Sequence, residues 1–328
     1  LTLKEGGLTL NGSDMNIDIE TSVAADTTSE GTFALPAHVF AQVVRSLPGE
    51  LVELRFGDGE LGVTSGSYAT TLQLVDPSAI SQVTFPESYQ GSLEAADLMR
   101  ALSHVRYATA VAEYQAIFRG VKLELSDNRT RAVATDGFRL AYYNLKAASG
   151  LEADVVIPAR SVDELIKLLS EGEVKIALSD GQISLSNGHF RANIKLMEGS
   201  FPDYNRVIPS TFPVSITLDA DVLAQAVARV AVMADKTANN RVDMFIKDGT
   251  LQITAEGAYG RSQEALEVAQ EGTDPEIALA YNAKYLVDAL TPTSGELQLR
   301  FSGTSSPSVL SSLKDPNYLA MVVPLRTG

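Results

Sequence analysis

Several short stretches of this 328-residue sequence carry residues whose types and spacing could do chemistry. Gly57-Asp58-Gly59-Glu60-Leu61-Gly62 matches the glycine pattern that cradles a pyrophosphate. It runs on into Val63-Thr64-Ser65-Gly66, which is more strand, with no helix N-terminus to receive the phosphates; a β-hairpin is the better reading. Asp14-Met15-Asn16-Ile17-Asp18 has the opening of a calcium loop but places Ile19 where that loop needs glycine, so it reads as the polar face of a strand. Asp136, in Ala134-Thr135-Asp136-Gly137, could act as a catalytic acid. Asp14 stands 122 residues earlier in Gly12-Ser13-Asp14, and a turn-forming aspartate shared by a repeated fold accounts for both. His38, His104 and His189 have no metal-ligand spacing among themselves. With no cysteine, no serine elbow and no phosphate loop, the expectation is a protein with no catalytic residue, no metal and no cofactor.

The elements that position these residues repeat. Residues 92–105 and 217–230 align at a shift of 125, pairing Leu93, Ala95, Leu98, Ala101, Leu102 and Val105 with Leu218, Ala220, Leu223, Ala226, Val227 and Val230. A second element recurs three times, with Pro36, Pro158 and Asn282 at the helix start. The period suits a domain and is too long for a solenoid unit. Three homologous domains are expected at 1–90, 91–212 and 213–328, the first lacking a strand and a helix that would precede Leu1. Asp58-Gly59, Asp180-Gly181 and Asp248-Gly249 sit between alternating apolar segments and predict hairpins, as does Asn11-Gly12. The fold class is α+β, each domain carrying two helices on antiparallel strands.

The net charge of −15 argues against a surface that grips nucleic acid throughout. Its distribution is informative. Five predicted helices (36–47, 92–106, 158–170, 218–236 and 282–290) hold eight basic and eight acidic residues, so strands and loops carry the whole deficit. Several helix acids, Asp97, Asp163, Glu164, Asp219 and Asp221 among them, are assigned to first turns, where the helix dipole favours them. That leaves a locally basic exposed face in every repeat: Arg45, Arg100, His104, Arg160, Lys167, Arg229, Lys236 and Lys284. Taken singly, each is an ordinary solvated residue. No apolar run is long enough to span a membrane.

Three motifs then carry a recognisable pattern: Arg131-Ala-Val-Ala-Thr-Asp-Gly-Phe-Arg-Leu-Ala141, Phe201-Pro-Asp-Tyr-Asn-Arg-Val-Ile-Pro209, and Met321-Val-Val-Pro-Leu-Arg326. Together, in this order and over the whole chain, they resemble the bacterial sliding clamps, the beta subunits of DNA polymerase III. The resemblance implies a head-to-tail homodimeric ring of three-domain crescents. Its helices line a pore around duplex DNA held without sequence specificity, and the eight basic-face residues above face that pore. Implied partners are the clamp loader, the DNA polymerase III alpha subunit and other DNA polymerases, and mismatch-repair and ligase proteins carrying clamp-binding peptides. No membrane partner is implied, and the location is the bacterial cytoplasm, at the nucleoid during replication.

The family's partner site is an apolar pocket for a peptide with a Gln and a Leu-Phe-type end. Carried over by position, it comprises Phe118, Thr135, Gly137, Phe138, Arg139, Leu140, Pro202, Arg206, Val207, Met321, Val323 and Arg326. For Phe138, Val207 and Met321 the plainer reading is ordinary core. Phe138 stands where many relatives have His, and Thr327-Gly328 extends past the usual ending. Ring closure would pair an edge strand near Thr70–Val75 with one near Glu264–Val268, with Phe85 and Leu266 as apolar anchors. On this reading, Leu140→Asp should abolish peptide binding without unfolding the protein. The rivals are an enzyme on a repeated α+β scaffold, which needs convergent acids or bases, and an adaptor that keeps the pocket as a strict monomer.

Overall fold

The computed structural model describes residues 1–79, 83–111, 116–126 and 128–326. The chain divides into two compact units, Leu1–Tyr89 with Lys175–Lys195, and Gln90–Val174 with Leu196–Gly328. Most of an eight-stranded antiparallel sheet lies in the first unit, where successive strands are Gly31–Thr32, Thr2–Lys4, Gly7–Ser13, Ile17–Ala24, Phe190–Lys195, Gln182–Ser186 and, in large part, Glu173–Ser179. A three-stranded sheet of Glu53–Gly57, Glu60–Ser65 and Tyr68–Gln73 accompanies it, with helix α1, Ala37–Ser46, which buries none of its residues.

The second unit is organised by a nine-stranded sheet. Its order is Ala153–Pro158, Gly120–Leu125, Thr130–Thr135, Arg139–Asn144, Tyr318–Val322, Ser308–Ser312, Glu296–Phe301, Val214–Asp219 and Ala269–Gly272. A four-stranded sheet holds Gly260–Glu267, Thr250–Gly257, Arg241–Lys247 and Glu276–Asn282, in that order. Helices α2 (Ala95–Val105) and α3 (Ala159–Leu168) pack together, as do α4 (Ala220–Val230) and α5 (Ala283–Leu290).

The repeat holds residue by residue where it matters for packing. Ala95, Leu98, Ala101, Leu102 and Val105 are the buried residues of α2, and their partners Ala220, Leu223, Ala226, Val227 and Val230 are those of α4. Their spacing puts one apolar stripe against the core. Asn282 caps α5 by accepting from the Lys284 amide at 3.0 Å, and Asp219 caps α4 by accepting from the amides of Asp221 and Val222.

Several expectations are corrected. The segments taken as the first turns of helices 92–106 and 218–236 are strands, Gly91–Glu94 and Val214–Asp219, that run straight into α2 and α4; residues 231–233 and 236–238 are 3-10 turns. The alternation of buried Val214, Ile216 and Leu218 with half-buried neighbours is a strand period that a helical count overlooks. Asp163 and Glu164 lie beyond the first turn of α3 and pair instead with Arg106 and Lys167. Asn11-Gly12 stays inside the strand Gly7–Ser13; the chain reverses at residues 14–16, where Met15 takes a positive φ of 70°. The Gly57–Gly62 stretch is a hairpin, as expected, and its turn residues Asp58 and Gly59 both have positive φ.

Candidate functional site

The expected pocket residues gather around one tight turn. Between the strands Thr130–Thr135 and Arg139–Asn144, Asp136 Oδ1 accepts from the amides of Phe138 and Arg139 at 2.9 and 3.0 Å. Asp14 Oδ1 does the same for Asn16 and Ile17. Asp136 is thus the turn aspartate that the repeat predicts, and the catalytic-acid alternative finds no support in its bonds. Gly137 takes φ +90°, a backbone region that penalises any side chain, and the Thr135 hydroxyl bridges the turn by donating to the Arg139 carbonyl at 2.7 Å.

Strand Arg139–Asn144 lies beside Tyr318–Val322, with Leu140 opposite Met321, and the Val323 amide donates to the Phe138 carbonyl at 2.9 Å. The C-terminal segment is thereby stitched to the turn. A 3-10 turn, Tyr204–Val207, adds a second wall, with Arg206 held by Asp203 at 2.9 Å.

The twelve expected residues divide into a buried set and a more exposed set. Leu140 is 1% exposed and Met321 4%, both within a core cluster that includes Val133, Tyr204 and Val309. Phe118 is buried edge-on against Phe201, and Thr135 and Arg139 are buried too. Phe138 and Val207, in contrast, are 59% and 50% exposed. Gly137, Pro202, Arg206 and Arg326 are exposed, and Val323 is half-buried. The plainer reading therefore holds for Met321 and fails for Phe138 and Val207. The expectation that Leu140→Asp leaves the fold intact is overturned: it would place an unpaired carboxylate inside a closed apolar cluster. Thr327 and Gly328 lie outside the described residues.

Arg139 neighbours Leu140 on one strand, and since successive strand residues face opposite ways its side chain leaves the Leu140–Met321 side and meets α5. Its guanidinium donates to Asp136 Oδ2 at 3.0 Å and Asp288 Oδ2 at 2.5 Å, and it lies over the rings of Tyr285 (4.4 Å) and Tyr107 (5.5 Å). Burial opposes its charge, yet the two carboxylates hold its pKa above the ordinary guanidinium value. Asp136 was singled out by the sequence as a turn residue, whereas its fellow partners of Arg139, namely Asp288, Tyr285 and Tyr107, were not. Asp288 and Tyr285 sit on α5, far along the chain, with no local motif to flag them.

Of the eight basic-face residues, Arg45, Arg100, Arg160 and Lys236 are exposed. Arg229 is engaged by both oxygens of Glu264, Lys167 by Glu164 and Lys284 by Asp288. His104 departs from the expected face. Its ring is half-buried, 4.8 Å from the Tyr143 ring and 5.4 Å from that of Tyr318, and Nδ1 donates to the Arg100 carbonyl at 2.7 Å. It lines a cavity of about 310 Å³ with Arg100, Lys314 and Asp315. Burial lowers its pKa below the ordinary imidazole value.

The strands named for ring closure, Tyr68–Gln73 and Gly260–Glu267, are both edge strands of their sheets. Phe85 and Leu266 are half-buried. Phe85 lies under the Arg191 guanidinium at 4.6 Å, and Leu266 faces buried Leu251 across the ladder. Exposed apolar surface sits elsewhere: Tyr68 and Val75 by the first edge strand, and Val232, 75% exposed, with Tyr259 by the second.

Repeated helix-on-sheet units, with Asp136 engaged by its own turn and Phe138 and Val207 exposed near a buried apolar cluster, fit a binding protein of the clamp class. Comparison with known proteins gives the family. The DNA polymerase III beta subunit family models match in order: the N-terminal domain over residues 1–84, the central domain over 92–203 and the C-terminal domain over 205–326. The beta sliding clamp of Pseudomonas putida is 29% identical, covering 97% of this chain and 89% of that one. That of Staphylococcus aureus is 26% identical, over 99% and 90%. Among solved structures, the DNA polymerase III beta subunit of Thermotoga maritima superposes with a TM-score of 0.91 at 27% identity, covering all of this chain and 90% of the other. A sliding clamp from Pseudomonas aeruginosa bound to griselimycin gives 0.90 at 25%, over 99% and 90%. The chain belongs to the family of bacterial DNA polymerase III beta subunits, the sliding clamps, and is a non-catalytic processivity factor of three clamp domains.

Proposed function

We propose that two copies close head to tail into a ring around duplex DNA, and that the rim of Phe138 and Val207 over the Leu140–Met321 floor receives a short peptide of each partner. The domains divide at 1–90, 91–212 and 213–328. The clamp loader, the polymerase alpha subunit, other polymerases, and ligase and mismatch-repair proteins dock through such peptides, in the bacterial cytoplasm. The observation that carries the peptide site is the pairing of two exposed apolar side chains with a buried, hydrogen-bonded floor. An anchor residue gains most where a pocket is already desolvated and rigid.

Neutral helices with basic faces on an otherwise acidic chain support encirclement over tight phosphate binding, because many fixed phosphate contacts would impede sliding. A head-to-tail contact that closes after two copies suits a chain of three repeats. The deciding experiment is retention on nicked circular DNA after loading, compared with the same DNA linearised. Loss from the linear form is expected; equal retention would mean ordinary electrostatic affinity. A strict monomer at micromolar concentration in light scattering would count for the adaptor instead.

A further inference from the structure

One carboxylate oxygen serves two residues assigned to different surfaces. Asp288 Oδ2 accepts from Arg139 at 2.5 Å and from Lys284 Nζ at 2.8 Å. Arg139 belongs to the proposed peptide site, and its backbone is part of the turn that carries Gly137 and Phe138. Lys284 belongs to the proposed DNA-facing set.

The two donors differ in freedom. The Arg139 side chain is 7% exposed, sandwiched by aromatic rings and bonded also to Asp136. The Lys284 side chain is 66% exposed and, among the described residues, its ion pair is the i,i+4 one along α5, an interaction of small net worth that exchanges readily with solvent or another anion. An anion arriving at the exposed face of α5 can therefore take Lys284 and cannot take Arg139.

We propose that Asp288 is a positioning residue through which a DNA phosphate at Lys284 tightens the peptide site. The inference rests on the function proposed above. With Lys284 withdrawn, the half-buried carboxylate is left to Arg139 alone. A charge-assisted bond gains when its acceptor is unshared and partly desolvated. The 135–139 turn is then held more firmly, and less ordering remains to be done when a peptide docks. Reciprocity requires that a bound peptide favour the released Lys284, and hence DNA, by the same factor. The factor is bounded by the worth of the Lys284–Asp288 pair, about twofold.

The test is fluorescence anisotropy with a labelled peptide carrying a Gln and a Leu-Phe end, titrated with the full-length protein. Lys284→Gln should tighten binding about twofold and Asp288→Asn should weaken it, and the double variant should match Asp288→Asn, because Lys284 acts only through that carboxylate. Loading the ring on nicked circular DNA should tighten the wild-type protein about twofold and leave Lys284→Gln unchanged. Should Asp288→Asn unfold, the exposed Lys284→Gln variant with and without DNA decides alone. Wild-type binding with no change in Lys284→Gln, or the same DNA effect in both proteins, overturns the inference by itself. No peptide binding by the wild-type protein overturns the site reading and this inference together.

Discussion

Leu140 and Met321 face each other across adjacent antiparallel strands, and both are buried in one cluster, although they come from different repeats of the chain. The pair is structural before it is functional. Leu140→Ala should cost about 2–5 kcal/mol, as large-to-small changes at closed core sites do, read as a lower midpoint in urea unfolding. Loss of less than about 0.5 kcal/mol would mean that the cluster is not closed.

The rim should behave in the opposite way. Phe138→Asp and Val207→Asp alter exposed side chains, so the unfolding midpoint should stay within about 0.5 kcal/mol of the wild type. Peptide affinity should fall at least about tenfold by anisotropy, the mark of an interface anchor. Unchanged affinity in both variants would remove the rim from the site.

The two turn aspartates make a matched comparison. Asp14→Ala removes bonds to two amides on an exposed hairpin and should cost about 1 kcal/mol. Asp136→Ala removes the same two bonds and also strips a partner from buried Arg139, so about 3 kcal/mol is expected. Equal losses in chemical denaturation would mean that the Arg139 pair contributes nothing.

His104 should make stability depend on pH. Burial against Tyr143 and Tyr318 holds its folded-state pKa below the ordinary 6.5, with Asp315 and the bonded Arg100 carbonyl opposing and the Arg100 charge assisting. Below 6.5 the unfolded chain then binds more protons than the folded one. Stability is full above that value and falls as the pH drops through the window beneath it. His104→Gln should flatten that slope in urea titrations run between pH 7 and pH 5; a slope as steep as the wild type's would place the proton elsewhere.

Association should depend on the exposed apolar residues by the edge strands. Val232→Glu should leave the melting curve of each subunit intact and shift the light-scattering mass toward the monomer at micromolar concentration. Phe85→Ala, which loses the Arg191 contact, should lower stability instead. A Val232→Glu protein that stays fully dimeric would exclude that edge.

Local features were legible in the sequence because their causes are local. Asp58-Gly59 and Asp248-Gly249 turn where they must, since both positions need positive φ. The apolar stripes of α2 and α4 repeat residue for residue, and Asp14 and Asp136 make the same turn 122 residues apart. The family motifs and the division of charge between helices and loops were likewise present in the chain itself. What the sequence could not decide is which apolar residues end inside and which outside. Leu140 and Phe138 are two residues apart, yet the first is sealed by Met321 from a distant strand and the second stands in solvent. Arg139 owes its fixed position to Asp288 on α5, and His104 owes its burial to Tyr318. Such outcomes depend on strand pairing and helix packing between segments far apart in the chain, where residue type and spacing carry no record of the partner, so only the tertiary structure decided them.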